Sequence, residues 1–359
     1  MNSFKNSKSF FEYLGLADVE RIHSQFLAWV LSENCNALDR KERDRLLFNL
    51  FGVSGPLVSI HTERNRIDIL LETETDVIVI ENKMKSSQHS NQLAVYQDHV
   101  KKTYTKHTPY YFFLTLVNEK TIDEFWKPLN YSILYKQLSS VKIIPGTNHG
   151  VILTEYLLFL KRLHEVVKDF HENVKQYDMV FLDGKKKKHE KEEEDYKSVN
   201  KWFIASNQLE TILQKSFLIR LVDEVKNPVG RISETRGDAL VDFKIESDLK
   251  FEGRLYSTAL QLQGETIKFT FAIENSDYLT SKKQWIQNII PLFVKLNQEN
   301  TFGYKKLNKP KNLAYLSISK KLDNYYWQLS LPELADFIHK EIKNCKAMTE
   351  QLKQGLNEK

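Results

Sequence analysis

The chain has two cysteines in 359 residues, Cys35 and Cys345, near opposite ends and with no CxxC pair or Cys/His cluster beside either. That excludes a disulfide framework and leaves a zinc site unsupported. No apolar run reaches the roughly 18–20 residues of a membrane span, and the opening MNSFKNSKSFFEYL has neither the apolar segment nor the small-residue cleavage site of a signal peptide. The expectation is a cytoplasmic protein with no membrane partner. G-x-S-x-G, P-loop and H-E-x-x-H motifs are missing, which argues against an elbow-type serine hydrolase, a Walker ATPase and a zinc protease. No internal repeat is evident. Charge of one sign is not in great excess either, since 52 Lys+Arg against 47 Asp+Glu leave a formal +5. Any attraction for phosphate must come from local patches.

What is present is an ordinary globular composition, 41% apolar and 28% charged. The length allows one or two domains, and either half is long enough to bury a core.

The stretch around which the rest is arranged is Arg66 to Tyr96. Arg66–Leu71 and Asp76–Asn82 are rich in Ile, Val and Leu, and Glu72–Thr75 separates them without an apolar residue, a hairpin signal. Alternation along a strand puts Glu81 and Lys83 on the face of Val77 and Val79, with Ile78 and Ile80 opposite. A turn centred on Thr73–Thr75 pairs residues whose numbers sum to about 148 or 149, which brings Asp68 beside Ile80 or Glu81. Two carboxylates and an ammonium then crowd one end of an apolar hairpin. Either a carboxylate takes up a proton or a cation binds between them. Carboxylate oxygens suit Mg²⁺ or Mn²⁺, and a neighbouring lysine can orient attacking water and offset phosphate charge. The same spacing also fits a surface hairpin with one Glu/Lys ion pair.

In the order Ile67-Asp68, then Ile78-Val79-Ile80-Glu81-Asn82-Lys83, then Gln92-Leu93-x-x-Tyr96, the sequence resembles the PD-(D/E)xK nuclease superfamily, in particular its bacterial branch with IENK and QLxxY signatures. Upstream, Glu20-Arg21-Ile22-His23-Ser24-x-x-Leu27-x-Trp29 is similar to the first core helix of that branch. The resemblance covers about the first half of the chain, and the proline that names the motif is Ile67 here. It implies Asp68 and Glu81 as metal ligands, with the Asn82 carbonyl beside them and Glu20 as a further ligand. It also implies Lys83 as the catalytic lysine, and Gln92 and Tyr96 as active-site supports.

The remainder reads as an α/β core followed by an α+β domain. Asp18 is placed to cap a helix to about Glu33, with Glu20, His23, Ser24 and Leu27 along one line of it. His23 is either part of the site or a structural histidine. A basic helix, Leu38–Phe51, ends at Gly52, and its Arg40, Lys41, Arg43 and Arg45 either touch phosphate or face solvent. Leu57–Thr62 reads as a strand leading to Glu63, a ligand or an ion-pair partner of Arg64 or Arg66. Gln92 and Tyr96, four apart on a helix from about Asn91 to Lys102, share a face. Pro109–Leu116 reads as a buried strand, Ile122–Lys127 as a short helix, Tyr131–Leu134 as a strand and Gly150–Phe170 as a long helix. A mixed sheet with helices on both sides results, the restriction-endonuclease-like core that the resemblance implies.

Lys185–Glu194 is a charge block that marks a boundary: a nuclease-like domain over 1–180, a charged linker over 181–199 and an α+β domain over 200–359. The last contains a helix near 200–226, strands at 239–245, 256–263 and 266–273 with a turn at Gln263-Gly264-Glu265, and a helix near 281–298. Strands at 314–319 and 325–329 and a helix opened by Pro332 follow. Trp285, Tyr325, Tyr326 and Trp327 are either base-stacking or core aromatics.

The functional expectation is a Mg²⁺- or Mn²⁺-dependent nuclease that hydrolyses DNA phosphodiester bonds, with a host-defence or mobile-DNA setting. A homodimer is expected where both strands are cut. The alternative is a catalytically silent adaptor of the same fold that binds nucleic acid or a protein.

Overall fold

The computed structural model describes residues 8–84, 92–117, 119, 123–181, 198–228, 230–235, 238–251, 254–273, 289–308, 315–322 and 326–357. The chain divides into two compact units, one of residues 1–173 and 189–213, the other of 174–188 and 214–359. The division differs from the expected boundaries at 180 and 200. Residues 199–206 pack on the first unit, where Phe203 meets Phe159 edge-on and Asn200 donates to Asp169. Phe181 instead stacks on Trp327 in the second unit at 4.7 Å.

The first unit is built on a five-stranded mixed sheet. Strands β1 (Ser59–Arg64), β2 (Ile67–Glu72) and β3 (Asp76–Lys83) form an antiparallel meander, and β4 (Thr108–Thr115) and β5 (Trp126–Asn130) continue it in parallel. Ile69 pairs with Ile80 and Leu71 with Ile78, so the expected sum of 149 sets the hairpin register. The helices are α1 (Phe10–Tyr13), α2 (Glu20–Leu31), α3 (Arg40–Phe51), α4 (Gln92–Thr103), α5 (Tyr131–Ser139), α6 (Asn148–Glu172) and α7 (Val199–Ser206). Leu93, Tyr96 and Val100 of α4 pack on Val77, Val79, Tyr111 and Phe113. The other face meets α2 through its buried His23, Ser24 and Leu27 line. Helices therefore cover both faces, as a largely apolar central strand requires.

Two expected elements exchange places. Trp126–Asn130 is a strand, not a helix, because Trp126 is buried opposite Tyr111 and Pro128 is tolerated on the edge strand. Tyr131 starts a helix, not a strand, because the Asn130 side chain caps it by accepting from Ile133 N–H. Val19, not Asp18, holds the cap position of α2.

The second unit carries the six-stranded antiparallel sheet of the α+β expectation. Its strands are β6 (Gly230–Thr235), β7 (Asp238–Phe251), β8 (Arg254–Gln263), β9 (Thr266–Ile273), β10 (Lys306–Asn308) and β11 (Tyr315–Lys321), in the order β10-β11-β9-β8-β7-β6. Its helices include α8 (Glu210–Val225), α9 (Ile290–Glu299) and α10 (Leu331–Asn357). The expected single helix over 200–226 is two helices, broken at Gln208 where φ is 53°. Tyr326–Gln328 is a 3-10 turn, not a strand, and Tyr326 and Trp327 are buried, which makes them core rather than base-stacking groups. Trp285, Tyr325 and Lys185–Glu194 lie outside the described residues.

Candidate active site

Three elements converge where β2 begins, β3 ends and α4 starts. The β1–β2 turn consists of Asn65 and Arg66, both at positive φ (54° and 68°), as a tight two-residue hairpin requires. This turn places Asp68 across from the end of β3. The main-chain N–H of Asn82 donates to Oδ2 of Asp68 at 2.7 Å, which fixes the carboxylate beside Glu81.

Glu81 is 1% exposed, and its two oxygens differ. Oε1 accepts from the Lys83 ammonium at 2.6 Å and from the Gln92 amide at 2.9 Å. Oε2 is buried with no hydrogen-bond partner among the described residues. Burial first, then the facing Asp68 carboxylate, raises the Glu81 pKa to about 8. Burial is also the largest influence on Asp68, which is raised to about 6 although the Asn82 N–H and Lys83 work in the opposite direction. The metal-free pair therefore shares a proton near neutrality. Burial alone would lower Lys83, but Glu81, Glu20 and Asp68 outweigh it and raise its pKa, so the ammonium stays charged.

Gln92 and Tyr96 do share a face, and they form a chain of bonds. The Gln92 amide also donates to Tyr96 OH at 2.6 Å, and that hydroxyl donates to the carbonyl of Arg66. One end of the chain holds the β1–β2 turn and the other holds Glu81. Tyr96 is thus a positioning group that acts through Gln92.

Glu20, the first residue of α2, stands at the margin, where its Oε1 accepts from Met84 N–H at 2.8 Å and its charge acts on Asp68 and Lys83. Asn82 is fully buried. Its Nδ2 donates to the Glu20 carbonyl and to Ser24 Oγ, and its Oδ1 accepts from Tyr131 OH at 2.9 Å. The residue between Glu81 and Lys83 therefore ties β3 to α2 and α5. Ser24 and Tyr131 carried no local signal of this role, because their partner is 58 and 49 positions away. His23 is structural: its ring lies between Tyr156 OH at 2.8 Å and the Ala17 carbonyl at 3.1 Å. Burial lowers its pKa to about 4, so it is neutral, with Nε2–H donating to the carbonyl.

The donor set fits a hard dication. Two carboxylates face each other across a pair of strands, one with a buried oxygen that no N–H of the described residues reaches, and the lysine compensates only one negative charge. Among the described residues no group of three or more His, Cys, Asp or Glu is clustered as a ready-made metal cage. A cation would thus draw on Asp68, Glu81 and main-chain oxygen rather than on three side chains.

Neither the curated proteins nor the solved structures include a match to this chain. The family model described as PD-(D/E)XK nuclease superfamily matches residues 57–216, which run from just before β1 into α8 and include Asp68, Glu81, Lys83, Gln92 and Tyr96 but not Glu20. The match covers 160 of the 359 residues, and over that stretch the chain is similar to the PD-(D/E)XK nuclease superfamily.

Proposed function

We propose that the protein is a Mg²⁺- or Mn²⁺-dependent nuclease that hydrolyses phosphodiester bonds of DNA. The observation that carries the reading is the buried Asp68/Glu81 pair, with Glu81 Oε2 unpartnered among the described residues and Lys83 at 2.6 Å from Oε1. Asp68, Glu81 and the Asn82 carbonyl would hold the ion, with Glu20 as the flanking carboxylate. When bound, the ion supplies Lewis-acid stabilisation of phosphate charge and lowers the pKa of water.

The chain's own groups do the rest. Lys83, kept cationic by Glu81, positions the attacking water for in-line displacement and offsets charge that builds on the phosphate oxygens. Gln92 holds Glu81 in the orientation that leaves Oε2 for the ion, and Tyr96 holds Gln92. The Asn82 N–H keeps Asp68 from turning away. In this reading the first unit cuts and the second selects substrate. Defence against foreign DNA and pairing of two copies for double-strand cleavage are the settings it favours. The intact Asp68/Glu81/Lys83 set speaks against the silent adaptor.

The test is a cleavage panel on linear, circular and single-stranded DNA and on RNA, with Mg²⁺ or Mn²⁺, beside Lys83→Ala and Glu81→Gln. Each variant is expected to lose at least about 100-fold in rate, the scale for removing one electrostatic stabiliser. Absence of metal-dependent cleavage of every substrate by the wild type would sink the reading.

A further inference from the structure

Apart from register shifts in β7 beyond Lys244, the strands of the second unit pair residue by residue across the sheet. Arg231 on β6 pairs with Asp242, Asp242 with Gln261, Gln261 with Lys268, Lys268 with Ser319 and Ser319 with Lys306 on β10. Directly paired residues point to the same face, so these six side chains form one polar row from edge to edge. The flanking rows run from Lys244 through Thr270 to Asn308 and from Ser233 through Gln263 to Lys321. The opposite face carries Val241, Phe243, Leu260, Leu262, Ile267, Phe269, Leu316 and Ile318, all buried.

A polar outer face is ordinary for an antiparallel sheet. The charge on this one is not. Within the three rows the cations are Arg231, Lys244, Lys268, Lys306 and Lys321, and the one anion is Asp242; Lys321 is ion-paired with Glu265 at 3.0 Å, so the other four cations minus one anion leave +3. Arg231, Lys244, Lys306 and Lys321 are exposed.

At the centre, the Lys268 ammonium donates to the Gln261 and Gln263 amide oxygens at 2.9 and 2.7 Å. Those acceptors are neutral, and an ammonium has three donors. Gln261 in turn donates to Asp242 at 2.9 Å. A half-buried cation is thus held in a fixed place by two neutral acceptors, with the Asp242 charge acting on it from β7. With strands about 4.8 Å apart, the row from Arg231 to Lys306 spans roughly 24 Å. That equals about seven base steps of a duplex at roughly 3.4 Å each. No aromatic residue stands in the three rows, so the face offers phosphate contacts rather than stacking.

We propose that this face of the second sheet is a platform for the phosphate backbone of a nucleic acid, bound without regard to sequence. The choice of polyanion rests on the nuclease reading above, but binding is measured apart from cleavage.

The experiment uses the full chain carrying Lys83→Ala, with EDTA, and a labelled random-sequence duplex of about 20 base pairs titrated at several salt concentrations by fluorescence anisotropy. Adding Arg231→Gln, Lys244→Gln and Lys306→Gln together should weaken binding at least tenfold at about 0.1 M salt. It should also flatten the plot of log affinity against log salt by about two to three, since each phosphate contact contributes about 0.9. Circular dichroism checks that the triple variant is folded, and Lys268→Met, which alters no exposed charge, should reduce the slope by about one more. A triple variant with unchanged affinity and slope overturns the platform, as does a parent that does not bind the duplex at about 50 mM salt. If binding depends on the three cations while the wild type cleaves nothing with Mg²⁺ or Mn²⁺, the platform stands and the hydrolytic reading falls. If the wild type cleaves and the triple variant binds like its parent, the reverse holds.

Discussion

The main-chain N–H of Asn82 donates to Oδ2 of Asp68 at 2.7 Å, so the residue between Glu81 and Lys83 fixes the carboxylate on the neighbouring strand. The two acids are thereby held face to face, and among the described residues no donor compensates Glu81 Oε2. The pair has a measurable cost. Asp68 is raised to about 6 and Glu81 to about 8, above the ordinary carboxylate values near 4. A raised acid contributes stability that is complete below its unfolded value and lost as pH rises through the folded one. In EDTA the first unit should therefore melt lower at pH 8.5 than at pH 5.5. At roughly 2–4 °C per kcal/mol for a domain of this size, the drop is several degrees. Glu81→Gln should flatten that dependence and raise the melting temperature at pH 8.5, and equal pH profiles for the two proteins would contradict the shared proton.

Binding of a dication should displace that proton. Calorimetric titration with Mn²⁺ in two buffers of different ionisation heat, at pH 7, is expected to show release of about one proton per ion, with affinity rising between pH 6 and 8. Glu81→Gln should abolish the proton release. Heat changes identical in both buffers would show that the carboxylates are already ionised before the metal arrives.

Gln92 and Tyr96 act in series, which separates their variants. Gln92→Leu removes the amide that holds Glu81 Oε1 and should reduce Mn²⁺ affinity or cleavage rate by about 10- to 100-fold, the scale for groups that orient metal ligands. Tyr96→Phe removes the bond to the Arg66 carbonyl but leaves Gln92 able to reach Glu81, so its effect should be smaller. A Tyr96→Phe defect larger than that of Gln92→Leu would mean that the phenol meets substrate directly.

How much of this was legible in the sequence follows from the range of each signal. The β2–β3 register was, because two runs rich in Ile, Val and Leu flank a polar four-residue break whose position fixes the turn and with it the pairing. The shared face of Gln92 and Tyr96 was too, because four positions make one helical turn. That the Gln92 amide would hold a ligand with the phenol bracing it followed from the same spacing, but the Arg66 carbonyl as the partner of Tyr96 did not, since it lies 30 positions away. The exchange of β5 and α5 has a local cause: Trp126-Lys-Pro-Leu-Asn130 contains a proline and no alternation, and Asn130 was not read as a cap. The cationic row of the second sheet needed the registers of six strands, two of which, β6 and β10, gave no strand signal of their own.

Asn82 also carries the junction of β3 with α2 and α5. Asn82→Ala would leave Tyr131 OH without its present partner in a buried setting, while the Glu20 carbonyl keeps the Ser24 hydroxyl at 3.0 Å. An orphaned buried group costs about 1–3 kcal/mol, so destabilisation of that order is expected, read as a lower denaturant midpoint. Ser24→Ala, which removes only one of the Asn82 acceptors, should cost about 1 kcal/mol or less. Equal losses for the two would show that the side-chain network does not bear on stability.

Acid should unfold the first unit through His23. Its imidazole is enclosed by Tyr156, Tyr131 and Phe159, and its pKa is lowered, by burial above all, to about 4. The sign is opposite to that of Glu81: a lowered histidine contributes stability that is complete above about 6.5, its unfolded value, and is lost as pH falls through 4. The Ala17 carbonyl and the charge of Asp18 pull the other way but do not offset the burial. A shift of about two and a half units at about 1.4 kcal/mol each corresponds to roughly 3 kcal/mol. Denaturant midpoints measured from pH 7 to pH 4 should fall steeply for the wild type. They should fall less for His23→Gln, which starts lower at pH 7 but has no ring to protonate. Parallel curves for the two proteins would assign the acid sensitivity elsewhere.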